Sequence, residues 1–397
     1  MVATTYMPVE TIQTTVSPIN TKPKIGLVMM GGGARAAYQV GVLKGVSELV
    51  KKGDPSPFKI ISGISAGAIN AAALASAAHN YQKAVFRLMT IWGNFHCDQI
   101  FCTSAGGIIK TGAHWFLGMM LASFAKNKPM YLLDRQPLYE LLSNYLHTKG
   151  IQRNIDNGHL HAISVSASGY YSGQNVTFFQ GHPSIESWKR SRRLGCREKI
   201  NVDHLMASSA IPFIFKAQKL NREYFGDGSI RLIAPLSPSL HLGADRMMII
   251  GNRKEDEETP LRIKQDQTPS FAEIASHVMN SIFLDSLEAD LERLIRINNT
   301  VSKNPDTTIV ENDIPLRKVD TLVISPSEDI GKLAAPYASD MPTSIKLLLR
   351  GIGGMKAEGS SLMSYLLFEK GYCRDLIDLG FEDTIAKKDK IKDFLML

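Results

Sequence analysis

Ser65 stands in Gly63-Ile64-Ser65-Ala66-Gly67, a G-x-S-x-G arrangement in which small neighbours let a strand turn sharply into a helix and leave the serine oxygen exposed. Such an oxygen attacks an acyl carbon if a base takes its proton and donors stabilise the charge that develops on the carbonyl oxygen. The bare pattern is common by chance in a chain of ordinary composition, so its flanks decide its weight. Phe58 to Ser62 (FKIIS) reads as a short buried strand and Ala68 to Ala78 as an alanine-rich helix, the setting a nucleophile elbow requires. A serine that only caps the helix is the plainer alternative, and it is compatible with attack.

Donors are offered by Gly31-Gly32-Gly33-Ala34-Arg35, where consecutive glycines at a helix start present unblocked backbone N–H groups. The stretch follows the apolar run Lys24 to Met30 (KIGLVMM) and precedes helical spacing from Ala36 to Val50. Gly31-x-Gly33-x-x-Ala36 also fits a dinucleotide fingerprint, which needs an acidic residue about 20 positions on, at the end of a second strand. Asp54 is near that spacing, but it lies in the turn Lys51-Lys52-Gly53-Asp54-Pro55 before the strand, and the strand itself runs into the serine elbow.

The best candidate base is Asp227 in Gly226-Asp227-Gly228, expected in a turn after Glu223-Tyr224-Phe225 where glycine neighbours let a carboxylate be aimed inward. An isolated Asp-Gly is more often an ordinary hairpin turn. The order serine, acid, histidine also leaves room for a triad through His241 or His277. A two-residue dyad is preferred, with His241 in a structural place before the next strand.

GGGARAAYQVGVL (Gly31 to Leu43), GISAG (Gly63 to Gly67) and GDGS (Gly226 to Ser229), in that order and near those separations, resemble the patatin-like phospholipase domain. The resemblance runs from about Lys24 to about Leu333, including Ala234 to Gly251 and Val323 to Gly331, and is similar to bacterial members. It implies that the loop Gly31, Gly32, Gly33, Ala34 forms an oxyanion hole, that Ser65 attacks, and that Asp227 is the base. Gly63, Gly67 and Gly228 then support the loops, and Arg35 supports the loop or the substrate head group. Two departures stand out: Ala36 where the glycine pattern ends in glycine, and Ser229 where the family places Gly or Ala. The implied activity is hydrolysis of lipid acyl esters, of phospholipase A or lysophospholipase type, through an acyl-enzyme and without metal or cofactor. An acyltransferase on the same scaffold, or a lipid-binding protein of low turnover, are the alternatives.

Beyond these residues, further strands are expected at His161 to Ser168, Asn175 to Gln180, Arg246 to Gly251 and Thr321 to Ser325, separated by helical segments. That alternation predicts a three-layer α/β/α fold with a mainly parallel central sheet. Asn252 to Ser270 and Asn298 to Lys318 read as surface loops, and Phe271 to Ile297 and Ser344 onward as helix. The expected organisation is a loose tail (1–23), the patatin-like domain (24–333) and a C-terminal helical extension (334–397) packed on it.

With 397 residues, 44% of them hydrophobic, the chain has ample material for a core. Forty-five Lys and Arg against 38 Asp and Glu leave a net charge of +7, which modestly favours anionic partners. The four cysteines show no metal-ligand or disulfide spacing and read as reduced thiols, which points to a cytoplasmic setting with peripheral membrane contact as an option. The longest apolar stretch, Ala113 to Ala125, is shorter than the roughly 20 residues a membrane-spanning helix needs. Within Ala105 to Phe124, Trp115, Phe116, Leu117, Met119, Met120 and Phe124 form a candidate apolar lid or a plain core helix. Basic clusters at Lys189, Arg190, Arg192, Arg193, Arg197, Lys199 and at Lys387, Lys388, Lys390, Lys392 offer contact with anionic lipid or merely solvated faces. Neither is interleaved with aromatics as nucleic-acid binding favours.

Overall fold

A computed structural model describes residues 22–104, 131–254, 268, 271–303, 310–311, 314–351 and 360–397. The lid candidate at 105–124 lies outside the described residues, as does nearly all of the N-terminal tail.

The fold is mixed α/β, with a central sheet of mostly parallel strands flanked by helices. Its strands are β1 (Ile25–Met29), β2 (Ile60–Ile64), β3 (Ala162–Gly169), β4 (Asn175–Gly181), β5 (Trp188–Arg190), β6 (Arg193–Arg197), β7 (Gln218–Leu220), β8 (Glu223–Asp227) and β9 (Arg246–Ile250). A short hairpin of β10 (Val310–Glu311) and β11 (Ile314–Pro315) stands apart, and β12 (Asp320–Ile324) returns to the main sheet. The order across that sheet is β12-β9-β1-β2-β3-β4-β6-β5. From β12 to β3 every pairing is parallel; β4 then runs antiparallel to β3.

The parallel strands are buried on both faces, which is why they read as continuous apolar runs rather than alternating ones. Leu27 and Met29 of β1, Ile61 of β2 and Met248 and Ile250 of β9 enter one core. Val28, Ile60, Met247 and Ile249, which alternate with them, enter a second core with Leu287 and Leu294 of the helix Phe271–Lys303. Two cores back to back make three layers.

The first core is covered by α1 (Ala37–Ser47), α2 (Ala66–Ser76) and α3 (Tyr81–Trp92), and by the helix Lys370–Ala386 laid along α1. That last contact is very close. A Cβ on Gly41 would stand 2.0 Å from the Ile377 carbonyl oxygen, and one on Gly380 would stand 2.3 Å from that of Tyr38. The Tyr38 hydroxyl donates to Asp383 at 2.9 Å across the same interface, and burial together with the Asp383 charge pushes the phenol well above its ordinary range.

The structure differs from the sequence expectation in four places. Asn298 to Lys303 continues the helix begun at Phe271, and Val310–Glu311 pairs with Ile314–Pro315, where a loop was expected from Asn298 to Lys318. The edge strands β5 to β8 were not anticipated, because three to five residues with mixed exposure carry no clear alternation. Asp227 is the last residue of β8 and the N-cap of a 3-10 turn, Gly228–Arg231, rather than the centre of a hairpin turn. The second strand begins at Ile60, two residues later than expected, and runs to Ile64 directly before the serine. Among the described residues no helix is long and apolar enough to cross a membrane.

Candidate active site

The site forms where two strands meet end to end along one edge of β3. Ile64, the last residue of β2, pairs with Ser166, and Asp227, the last residue of β8, pairs with Ala167. Because β8 arrives antiparallel in the space that β2 vacates, the residue after one strand and the terminal residue of the other face each other. The Ser65 hydroxyl donates to Asp227 Oδ2 at 2.6 Å.

Ser65 is held in a conformation that costs energy. Its backbone has φ 54 and ψ −128, a region L-residues rarely adopt, and it caps the N-terminus of α2. The turn closes only because its neighbours are small. A Cβ on Gly67 would lie 2.4 Å from the Met29 carbonyl oxygen, and one on Gly63 would lie 2.5 Å from the Gly67 oxygen. The Ser65 N–H donates to Ser208 Oγ at 2.9 Å, and Ser208 donates onward to the Ser166 carbonyl at 2.7 Å, so the elbow is tied to β3. Gly228 is equally constrained, since its Cβ would stand 2.1 Å from that same Ser166 oxygen.

Asp227 is wholly buried, and burial raises its carboxyl to about 6; hydrogen bonds from Ser65 and Ser229 and the charge of Arg135 pull the other way. The Ser229 N–H donates to Asp227 Oδ1 at 2.9 Å, and the Asp227 N–H donates to the Ala210 carbonyl at 2.8 Å. Arg135 is itself buried, bonded to the Met206 and Lys216 carbonyls and to Ser209 Oγ, and burial lowers its guanidinium to about 10. It supplies positive potential to the carboxylate without touching it.

The glycine loop leaves β1 beside this pair. A Cβ on Gly31 would stand 3.0 Å from Ser65 Cβ and 2.7 Å from Ser229 Oγ, and the Gly31 carbonyl accepts from Asn252 Nδ2. Gly33 has φ 55, and its Cβ would collide with the Tyr365 carbonyl at 2.2 Å, so both shape and space demand glycine there. Ala34 is buried, and Arg35 donates from Nε to Ser364 Oγ at 2.7 Å while its guanidinium lies 4.1 Å from the Tyr365 ring centroid. The Ala36 carbonyl accepts from Asn70, which also bonds Gln39 and Trp92 and so locks α1, α2 and α3 together beneath the loop.

An apolar cleft opens from Ser65. Gly33 and Ser65 stand on its wall with Leu88, Trp92, Leu142 and Phe215. Its mostly apolar lining suits a hydrocarbon chain, with the Ser65 hydroxyl on the wall.

His241 lies elsewhere. It ends the short helix Ser237–His241, bonds the Ser237 carbonyl through Nδ1 at 2.8 Å and stacks on Trp188 at 4.7 Å, and burial lowers its imidazole below the ordinary range. His277 is exposed on the helix Phe271–Lys303. Asp54 is exposed in the turn after α1, ahead of the N-terminal end of β2, whereas Ser65 follows its C-terminal end. Ser208, Arg135, Asn252, Ser364 and Tyr365 were not singled out by the sequence. They are common residue types with no local spacing signal, and only the fold brings them to the site.

The family model described as patatin-like phospholipase matches residues 27–238, more than half of the chain. No curated protein matches it. Among solved structures, the chain is similar to VipD from Legionella pneumophila at 11% identity and TM-score 0.29, covering 95% of this chain and 72% of that one. It is also similar to human GIVD cytosolic phospholipase A2 in complex with methyl gamma-linolenyl fluorophosphonate at 11% identity and TM-score 0.42, covering 94% and 59%. A third likeness is to the type III effector protein ExoU, at 13% identity and TM-score 0.31, covering 90% and 54%. The chain thus spans under three fifths of the latter two. The family match covers both strand-turn-helix units and the strand that ends in Asp227, and on that match the chain belongs to the patatin-like phospholipase family.

Proposed function

We propose that the chain hydrolyses lipid acyl esters of phospholipase A or lysophospholipase type, with Ser65 as nucleophile and Asp227 as its base. The observation that supports this best is the 2.6 Å hydrogen bond from Ser65 to a buried carboxylate at an apolar cleft. Asp227 Oδ2 takes the Ser65 proton as Oγ bonds to the acyl carbon. The oxyanion accepts from backbone N–H groups of the Gly31 to Ala34 loop, aided by the N-terminus of α2. Collapse expels the alcohol half of the ester, which recovers the proton from Asp227. Water, deprotonated by Asp227, then frees the fatty acid and regenerates Ser65.

A dyad is favoured over a triad because the His241 ring is bonded to Ser237 and stacked on Trp188. Hydrolysis of p-nitrophenyl esters of graded chain length and of a phospholipid tests the reading. Ser65→Ala and Asp227→Asn lose activity while His241→Ala keeps it; an active Ser65→Ala sinks the assignment. Adding an alcohol acceptor to the same assay and finding transferred ester in place of free acid would make the chain an acyltransferase.

A further inference from the structure

The rim of the sheet beside Ser65 carries exposed aromatic and basic residues held in place at a cost. Tyr171 is 83% exposed, Phe213 71%, Ile233 55% and Tyr170 49%. All four lie in connections next to the segments that hold Asp227. Tyr170 and Tyr171 follow the end of β3, and a Cβ on Gly226 would stand 2.6 Å from the Tyr170 hydroxyl, so that ring lies across the residue before Asp227. Phe213 lies three residues beyond Ala210, whose carbonyl accepts the Asp227 N–H, and between Ile211 and Phe215, which line the cleft. Ile233 follows the 3-10 turn that Asp227 caps.

Basic charge sits on the same edge. Gly226 pairs with Ser168, Ser168 with Asn175, Asn175 with Arg193 and Arg193 with Arg190, so the β5–β6 turn closes a row that begins next to Asp227. Strands about 4.8 Å apart put Arg193 roughly 15 Å from Gly226 along that row. Lys189 and Arg192 are exposed there, whereas Arg197, at the far end of β6, is spent on the Gly181 and His182 carbonyls. Arg231 is exposed nearby, its guanidinium carbon 3.7 Å from the place of a Gly173 Cβ in the β3–β4 turn.

These groups are presented, not merely left over. Phe213 has φ 64 and Arg192 has φ 56, left-handed conformations that favour glycine, yet both positions carry large exposed side chains. Glu223 Oε1 accepts from the N–H groups of Tyr171 at 2.9 Å and Ser172 at 2.6 Å, which fixes the turn that holds Tyr171 out and spends the nearby carboxylate on backbone. Exposed aromatics with Arg and Lys on the same rim suit the interface of a bilayer, where rings enter the headgroup layer and cations meet anionic lipid.

We propose that this rim, Tyr170, Tyr171, Phe213 and Ile233 with Arg192 and Arg231, docks the chain on an anionic phospholipid bilayer with the cleft mouth toward the lipid. The inference rests on Ser65 and Asp227 forming a lipid-ester site, but docking needs no turnover. Flotation of the full chain with vesicles of phosphatidylcholine alone, and with phosphatidylserine added, tests it. Wild type and Ser65→Ala float with the anionic vesicles and are released by salt. The triple variant Tyr171→Ser/Arg192→Gly/Phe213→Gly loses about 30-fold or more in partition. Two of its changes place glycine where the backbone already favours it, so folding is retained, and turnover of water-soluble p-nitrophenyl butyrate stays at the wild-type rate. Equal flotation of wild type with both vesicle types, or a triple variant that floats like wild type, overturns the proposal. Loss of turnover in Ser65→Ala with flotation intact keeps this test separate from that of the hydrolase reading.

Discussion

The two strand-turn-helix units of this protein share one plan and spend it differently. β1 leads through Gly33 at φ 55 into a 3-10 turn and α1, and β2 leads through Ser65 at φ 54 into α2. At the same φ, the first unit uses a residue that adopts the conformation freely, and the second forces a side chain into it. The glycine turn presents backbone; the serine turn presents an oxygen. Of these two turns only the serine turn carries strain, and the rigidity of both is supplied by what surrounds them: Ser208 on the serine turn, Asn252, Ser364 and Tyr365 on the glycine turn.

The sharpest way to break the comparison is to remove the oxygen. Ser65→Ala is expected to lower kcat by about 10⁴-fold or more while leaving the fold intact, read as ester hydrolysis beside an unchanged circular dichroism spectrum. Gly33→Ala attacks the other turn. Its Cβ would meet the Tyr365 carbonyl at 2.2 Å in a left-handed conformation, so a loss of about 3 kcal/mol or more in urea unfolding is expected, with activity falling alongside.

Asp227→Asn separates catalysis from stability. Burial raises the folded carboxyl to about 6, above the ordinary value of about 4 in the unfolded chain, so ionisation is penalised in the folded state. The wild type is therefore stabilised at low pH and loses that stability as pH rises through about 6. The variant should be inactive yet more stable by about 2–3 kcal/mol near pH 8, a difference that closes below about pH 4. For the wild type, the same carboxyl must be ionised to act as base, so kcat/KM should fall as pH drops below about 6. The smallest effect sharpens the comparison directly. Ser65→Gly makes the second turn like the first, and an increase of about 1 kcal/mol in stability is expected with activity abolished.

Both turns were legible in the sequence because their demands are local. A run such as IGLVM before GGG, or IISGI before Ser65, states strand and turn in a dozen residues. The base was half legible: Gly226-Asp227-Gly228 marks a tight place, but an Asp-Gly hairpin would be spelled the same way, and β8 is short and only partly buried. The roles of Ser208 and Arg135 were not legible, since nothing within a few residues of either signals a partner 143 positions away, as for Ser208 and Ser65.

Hydrophobic pattern and glycine placement, which act over neighbouring residues, determined from the sequence alone that the chain has a mainly parallel sheet, a glycine loop and a serine elbow. Tertiary structure alone decided that β8 fills the edge of β3 vacated by β2, bringing Asp227 to Ser65 across 162 residues. It also decided that His241 stacks on Trp188 and that the C-terminal Ser364 and Tyr365 brace the glycine loop. Strand register and helix docking are set by the sum of many distant contacts, and no local stretch of sequence contains that sum.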